Sequence, residues 1–364
     1  QYQNGPWDLK EAYRRFSGVT KYSLGDNARG ASLALNGYSG EWTSTDQIPQ
    51  RAVDQGLIGR LGNLDSTDGG ESTRASLVGN AWSGRDDGQM TRGSLYLTYY
   101  EMKLWSNFTY FLDDPVNGDQ FAQIDRRMVT GGALSHAWPM DLGGIRTVST
   151  IGTQVRYDDI PDVSLQKTSR RQTVSLVRQD DVKEATGGVY LKTETAWLAK
   201  FRSIIGLRGD AYTFDVDSNL PENSGNAHDQ ILSPKLALIF GPWADTEVYL
   251  NGGTGFHSND ARGTSTRVDP VSGTPVETVS PLVRSKGAEI GLRTSAVPRL
   301  RSTLAFWVLK LDSELLFVGD AGTTEASRPS FRRGVEFANF YKPFSWLTLD
   351  GDLALTQATF TDDD

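Results

Sequence analysis

Apolar and polar side chains alternate with a period of two along most of this chain. In 288–293, Ala288, Ile290 and Leu292 share one face while Glu289, Gly291 and Arg293 take the other, a sorting that a helix would scatter around its axis. The pattern recurs in 305–314, where Ala305, Trp307, Leu309 and Leu311 oppose Lys310, Asp312 and Glu314. Val335 and Phe337 oppose Arg332 and Glu336; Leu347, Leu349, Leu353 and Leu355 oppose Asp350 and Asp352; Ile205 and Leu207 oppose Arg208 and Asp210. The alternation predicts roughly fourteen strands, near 12–24, 30–44, 72–84, 91–112, 125–137, 145–157, 184–197, 200–215, 231–241, 246–256, 282–296, 300–318, 330–341 and 346–360. Many run to about ten residues or more, enough to cross a bilayer when tilted.

The connections between these strands alternate in length. Short turns fall near 25–29, 85–90, 138–144, 198–199, 242–245, 297–299 and 342–345; long polar links fall near 45–71, 113–124, 158–183, 216–230, 257–281 and 319–329. One end of the sheet therefore collects tight hairpins and the other all the large loops, as in outer-membrane barrels. Trp197, Trp243 and Trp346 sit beside short turns, where an interfacial aromatic girdle belongs; the plainer reading is ordinary sheet-surface aromatics.

Composition narrows the function. The 364 residues include 38 glycines, 9 tryptophans and no cysteine, which removes disulfides and thiolate zinc sites. Three histidines, His136, His228 and His257, leave little for a metalloenzyme centre. A net charge of −8 without a basic block gives no footprint for nucleic acid. No apolar run approaches the roughly 18 residues of a membrane helix, which says nothing against a barrel. Gln1 is not an initiator methionine and no signal peptide is evident, so the chain reads as a piece of something longer.

Several motifs resemble the TonB-dependent outer-membrane receptors. They are GTGFHSNDARG at 253–263 followed by PLVRSKGAEIGLR at 281–293, STDQIPQRA at 44–52, SNFTYFLDDPVNGDQ at 106–120 and LDSELLFVGDAGTTEASRPSFRRGVEF at 311–337. The resemblance covers nearly the whole chain. It implies an all-β, transmembrane antiparallel β-barrel, here partial, with about fourteen of an expected twenty-two strands. Residues 1–364 would form a single domain, part of the receptor's β-barrel. A plug, a segment engaging TonB and the terminal aromatic strand are not recognisable in it. Such a fragment would have two open edges and would not insert and transport alone. The implied partners of the whole protein are the TonB complex, its own plug, outer-membrane lipid and a small-molecule or metal-chelate ligand, with no cofactor.

The best candidate for ligand contact is the loop beginning Phe256, His257, Ser258, Asn259, Asp260 and Arg262, which offers stacking and bidentate groups at the exit of one strand. The competing reading is that Asn259, Asp260 and Arg262 fix the loop's own turn or meet the plug. Arg208, Asp210, Glu289, Arg293, Lys310, Asp312, Glu314, Arg332, Glu336, Asp350 and Asp352 are expected to face the lumen, because a charge at the lipid midplane costs about 2–4 kcal/mol for Arg or Lys. Their leading role is a ladder of cross-strand ion pairs; a subset pairing with the plug is the alternative. Asp113, Asp114, Asn117 and Asp119 place oxygens around a turn, more in the manner of Pro115–Gly118 turn formation than of a calcium loop. No metal site is expected, and no nucleophile elbow, phosphate loop or metal motif points to an enzyme. The expected function is an outer-membrane receptor that binds a scarce ligand, a ferric siderophore or similar, and imports it with TonB-coupled energy. A passive porin-like channel and a soluble β-rich binding protein are the alternatives.

Overall fold

A computed structural model describes residues 2–318 and 323–361. One antiparallel sheet takes its strands in chain order: β1 (Tyr2–Gln3), β2 (Tyr13–Gly25), β3 (Arg29–Thr43), β4 (Gly69–Gly84), β5 (Met90–Ser106), β6 (Phe121–Asp141), β7 (Arg146–Ser169), β8 (Gln172–Leu198), β9 (Phe201–Ser218), β10 (Gly225–Trp243), β11 (Thr246–Ser258), β12 (Leu282–Thr294), β13 (Leu300–Leu311), then β16 (Ser330–Phe344) and β17 (Leu347–Phe360). A separate hairpin, β14 (Glu314–Val318) with β15 (Thr323–Ser327), stands in the link between β13 and β16. Every neighbour is a sequence neighbour, so the sheet is an up-and-down meander. Its two edges do not meet, and the wall is open. Two single-turn helices, α1 (Gln50–Asp54) and α2 (Ala261–Ser265), lie in the long links.

The period of two sorts the wall into two faces. Ile205, Leu207, Val189, Leu191, Ile290, Phe306, Phe337, Leu353 and Leu355 are exposed on one, and ladder registration joins Ile290, Phe306, Val335 and Leu355 in one row. The other face carries Arg208, Asp210, Glu289, Glu336 and Asp352. Each hydrophobic row is thus a product of strand register, since a one-residue slip would exchange the faces. At the short-turn end Trp197, Trp243 and Trp346 are all well exposed on the wall, with Trp197 donating to Ser203 Oγ at 2.8 Å and the Lys200 ammonium over the Trp243 ring.

Two expected long links are largely strand. The region 158–183 continues β7 and β8, of 24 and 27 residues, to a two-residue turn at Arg170–Arg171. At 3.3 Å per residue β8 reaches roughly 90 Å, far beyond the 9–11 residues of a crossing. Its upper part therefore stands outside the apolar band, where polar residues are tolerated on both faces and alternation no longer marks a strand. The turn itself demands left-handed backbone at Arg170 (φ 51°) and Arg171 (φ 64°), normally a glycine or asparagine position. Arg171 is held there by tertiary bonds: its backbone N–H donates to Gln120 Oε1 at 2.8 Å, its Nε to the Thr67 carbonyl at 2.6 Å, and its guanidinium stacks on Trp105. The link at 216–230 likewise contracts to 219–224, placing His228 in β10 rather than in a loop.

The assignment of faces in β13 is also corrected. Trp307 pairs with Glu289 and Gly334 and so lies on the polar face with Ala305 and Leu309, while Phe306, Val308 and Lys310 take the apolar side. Both faces of this strand are greasy, so alternation could not choose between them. Gly334 decides it, for a Cβ there would stand 2.6 Å from the Trp307 ring. Lys310 therefore does not face the lumen side. Asp312 lies just beyond the end of β13, its backbone N–H donating to the Arg284 carbonyl, and is exposed in the loop rather than part of a lumenal row. The Glu314 side chain lies outside the described residues.

Candidate ligand-facing site

The polar face is organised in three tiers. Nearest the short turns, Glu247 of β11 receives Arg202 of β9 at 2.8 Å and also the Arg293 guanidinium of β12, a bridge that crosses four strands. In the middle, a recess of about 750 Å³ lies over β8 to β13. Its floor is lowered by Gly206, Gly253 and Gly287, and its sides are raised by Tyr190, Lys235 and Trp307. Arg208 lies at its edge, its guanidinium bonded to Asp210 at 2.6–2.9 Å and to Gln154 Oε1 at 2.8 Å. Ser233 Oγ and Trp307 Nε1 are buried here without a partner among the described residues.

The upper tier is the most elaborate. Ile160, Val163, Val182, Phe214 and Val216 form an apolar cluster on this face, and Ala261 of α2 closes it. The link 259–281 is thereby folded back over β8, β9 and β10 instead of standing away from them. Around the cluster run paired charges two residues apart on single strands. Arg127 binds Asp125, Arg156 binds the buried Asp158 at 2.6 Å, and Arg178 binds Asp180 at 2.5 Å. Glu184, directly opposite Asp158 in the ladder, lies within electrostatic reach of Arg127, Arg156 and Asp260. Arg178 also donates to Thr266 Oγ1 at 3.1 Å, tying the far end of α2 to β8. This buried pair leaves Arg178 Nη2 and Asp180 Oδ1 without partners among the described residues.

Of the six loop candidates, three build the loop. Asn259 donates from its side chain to the Ser280 carbonyl at 2.7 Å and from its backbone to Pro281, closing the base of the link. Asp260 caps α2 through the Arg262 N–H and pairs with the Arg262 guanidinium at 2.6 Å. Burial works to raise the Asp260 carboxyl, but Arg262 beside it holds it below the usual range, and Asp260 in turn holds the Arg262 guanidinium above its own against burial. Phe256 sets its ring edge-on to Tyr212 of β9, 5.7 Å between centroids, beyond the point where β11 stops pairing with β10. His257 pairs across the ladder with Val283, and Ser258, exposed, ends β11.

The remaining candidates divide by position. Glu289 stands opposite Asn251 and Trp307, on the face of Tyr249; Arg332, Glu336, Asp350 and Asp352 share its face toward the β17 edge. At 113–119 the carboxylates serve the turn. Asp119 accepts the N–H groups of Leu112 and Asp114 at 2.7 and 2.8 Å, and Asp114 those of Val116 and Asn117, both at 2.9 Å. Those amides lower both carboxyls, in Asp119 against the opposing pull of burial. His136 meets Thr91 Oγ1 at 2.9 Å and stacks on Trp138, on the same face as the exposed Leu134.

Sequence reading missed the Asp125–Arg127, Arg156–Asp158 and Arg178–Asp180 pairs, which carry a common i, i+2 signature on extended chain. It also missed an acidic cluster under the long links. There Asp65 accepts from Asn107 Nδ2 at 2.9 Å, the buried Asp68 accepts from Gln120 Nε2 at 3.1 Å, and Asp46 accepts from the Asn107 N–H at 3.0 Å. Burial first, then the neighbouring Asp65 and Asp46, push the Asp68 carboxyl up to about 8.

The profile of the family described as "TonB dependent receptor-like, beta-barrel" matches residues 2–364. Among curated proteins no relative matches by sequence. Among solved structures, the chain is similar to the ferric citrate transporter FecA in its unliganded form, with 12% identity over 97% of this chain and 52% of that one and a TM-score of 0.75. It is similar to BauA, the ferric preacinetobactin receptor from Acinetobacter baumannii, with 13% identity, coverage of 100% and 57% and a TM-score of 0.70. The copper transporter OprC gives 15%, 100%, 55% and 0.70 in the same order. The chain thus spans a little over half the length of these structures.

Proposed function

The chain belongs to the TonB-dependent receptor β-barrel family of the outer membrane, and from that premise we propose that the whole protein captures a scarce small ligand, a ferric siderophore or a similar metal chelate, and imports it to the periplasm with energy delivered through TonB. The observation that carries this reading is the link 259–281, packed by α2 onto the polar face beside four arginines and five carboxylates in a wall whose opposite face is apolar. A loop drawn inward over such a wall offers polar groups to a ligand entering from outside. Asn259, Asp260 and Arg262 give that loop its shape, and Phe256, His257 and Ser258 are its candidates for ligand contact. The lumen-side charges Arg208, Asp210, Glu289, Arg293, Arg332, Glu336, Asp350 and Asp352 then hydrate and brace the bore, with the plug as their partner. Residues 1–364 act as one unit of the barrel, and no catalytic step is assigned to them.

Uptake of radiolabelled iron chelates by cells carrying the intact gene, its deletion, and a TonB deletion tests the reading. Accumulation of at least one chelate is expected to need both genes. Uptake that survives loss of TonB would favour a passive channel, and a chain that fails to partition into detergent would favour a soluble binding protein.

A further inference from the structure

The face correction in β13 leaves a puzzle on the apolar side of the wall. Lys310 stands directly opposite Lys286 of β12, and both are exposed. Directly opposed strand residues have Cβ atoms only about 4.5–5.5 Å apart, and like charges there repel. One row nearer the apolar band, Arg333 of β16 faces Val308; it is exposed, and its Nε and Nη2 donate to Gln357 Oε1 at 3.0 and 2.7 Å. The other ladder partners in these two rows, Thr254, Ala288, Phe331 and Thr359 among them, are uncharged. Above them Arg284 is engaged by the Leu232 carbonyl at 2.9 Å, and no described carboxylate pairs with Lys286, Lys310 or Arg333.

An outward cation on another sector is treated differently. On β5 the exposed apolar side of Leu95 and Leu97 leads up to Lys103, and there Glu71 and Glu101 stand 3.2 and 3.7 Å from its ammonium. One sector neutralises its outward cation from within the protein; the β12–β16 sector leaves three cations together, immediately above Ile290 and Phe306 on the side of the long links.

We propose that Lys286, Lys310 and Arg333 form a binding patch for the phosphate groups of lipid headgroups in the external leaflet. The proposal rests on the outer-membrane placement above. Lys310 lies four residues beyond Phe306, about 13 Å along the strand. Its stem follows the apolar wall while the ammonium sits at headgroup height. An anion between Lys286 and Lys310 removes their repulsion, and Arg333 offers its remaining Nη1 to the same group.

The test uses the intact protein reconstituted into phosphatidylcholine vesicles doped with bisphosphorylated lipid A or with the same lipid A dephosphorylated. Lipid retained after detergent extraction is counted by mass spectrometry. The wild type is expected to keep several-fold more of the phosphorylated form, and free inorganic phosphate is expected not to displace it. Lys286→Gln with Lys310→Gln is expected to abolish the preference, Lys286→Arg with Lys310→Arg to keep it, and Lys103→Gln to leave it unchanged. Equal retention of the two lipids by the wild type, which needs no variant to fold, overturns the proposal, as does a preference that survives the double glutamine change. Displacement by inorganic phosphate overturns the assignment to a lipid. Chelate uptake does not enter this readout, so failure here is distinct from failure of the receptor reading, which would show as a protein that does not enter the vesicles.

Discussion

The two ends of the polar face are held together by different means. At the short-turn end, Arg202, Glu247 and Arg293 lie on strands joined by tight hairpins or single ladders, and the bridge remains open to water on the Arg293 side. At the loop end, Arg178 and Asp180 are almost wholly buried, and their neighbour Thr266 is 88 residues away in sequence. The first arrangement follows from strand order. The second needs a long link to return over the sheet and exclude water from charges, so it should be both more cooperative and more fragile. The loop-bearing half of this wall is built as a packed core, and the half at the short turns as a simple ladder.

Substitutions separate the two regimes. Asp180→Ala leaves the Arg178 guanidinium buried and uncompensated, and is expected to cost about 3–5 kcal/mol of local stability. Hydrogen exchange across 259–281 should read this as lost protection while the strands below Gly188 keep theirs; uniform loss along β8 would erase the distinction. Val182→Ala opens the cluster beneath Ala261 at a smaller cost, about 2 kcal/mol, read as faster proteolysis of the same link.

The acidic cluster at Asp68 sharpens the comparison through pH. Its carboxyl is raised from the usual value near 4 to about 8, so its contribution is fully present below pH 4 and is lost as pH rises through about 8. Proteolysis of the links 44–68 and 107–120 should therefore accelerate in mildly alkaline solution. Asp68→Asn should flatten that profile, and an unchanged alkaline rise would mean that another group titrates. The smallest effect belongs to the lower ladder. Glu247→Gln is expected to change stability by roughly 1 kcal/mol, shrinking in salt, because the bridge is open to water on its Arg293 side and is partly screened there. A larger effect in urea titration would show that the short-turn end is also a packed core.

Legibility followed the solvent. Within the apolar band each strand meets hydrocarbon on one side, so Ile290, Val335 and Leu355 were readable from their alternation, whereas Phe306, which completes their row on β13, was not, because both faces of that strand are greasy. Above the band that contrast vanishes, and β7 and β8 passed for a loop although Ile160, Val163 and Val182 lie in their ladder. The turn at Arg170–Arg171 carried no glycine signal because Gln120, Thr67 and Trp105, more than 50 residues away in sequence, hold it. Of the loop candidates, the capping pair Asp260–Arg262 was visible as a local spacing, whereas the Asn259 clasp to Ser280 needed the far end of the link.

Alternation with period two, together with the order of short and long connections, determined by itself that this chain is an antiparallel wall with one greasy and one wet side. Those are properties of neighbouring residues and of the pleat. Which way Trp307 and Lys310 point, which link folds back over the wall, and which charges lose their water were decided only by tertiary structure. Each depends on a partner brought from a distant strand: Gly334 makes room for an indole, Ala261 closes an apolar cluster, and Thr266 meets a buried guanidinium.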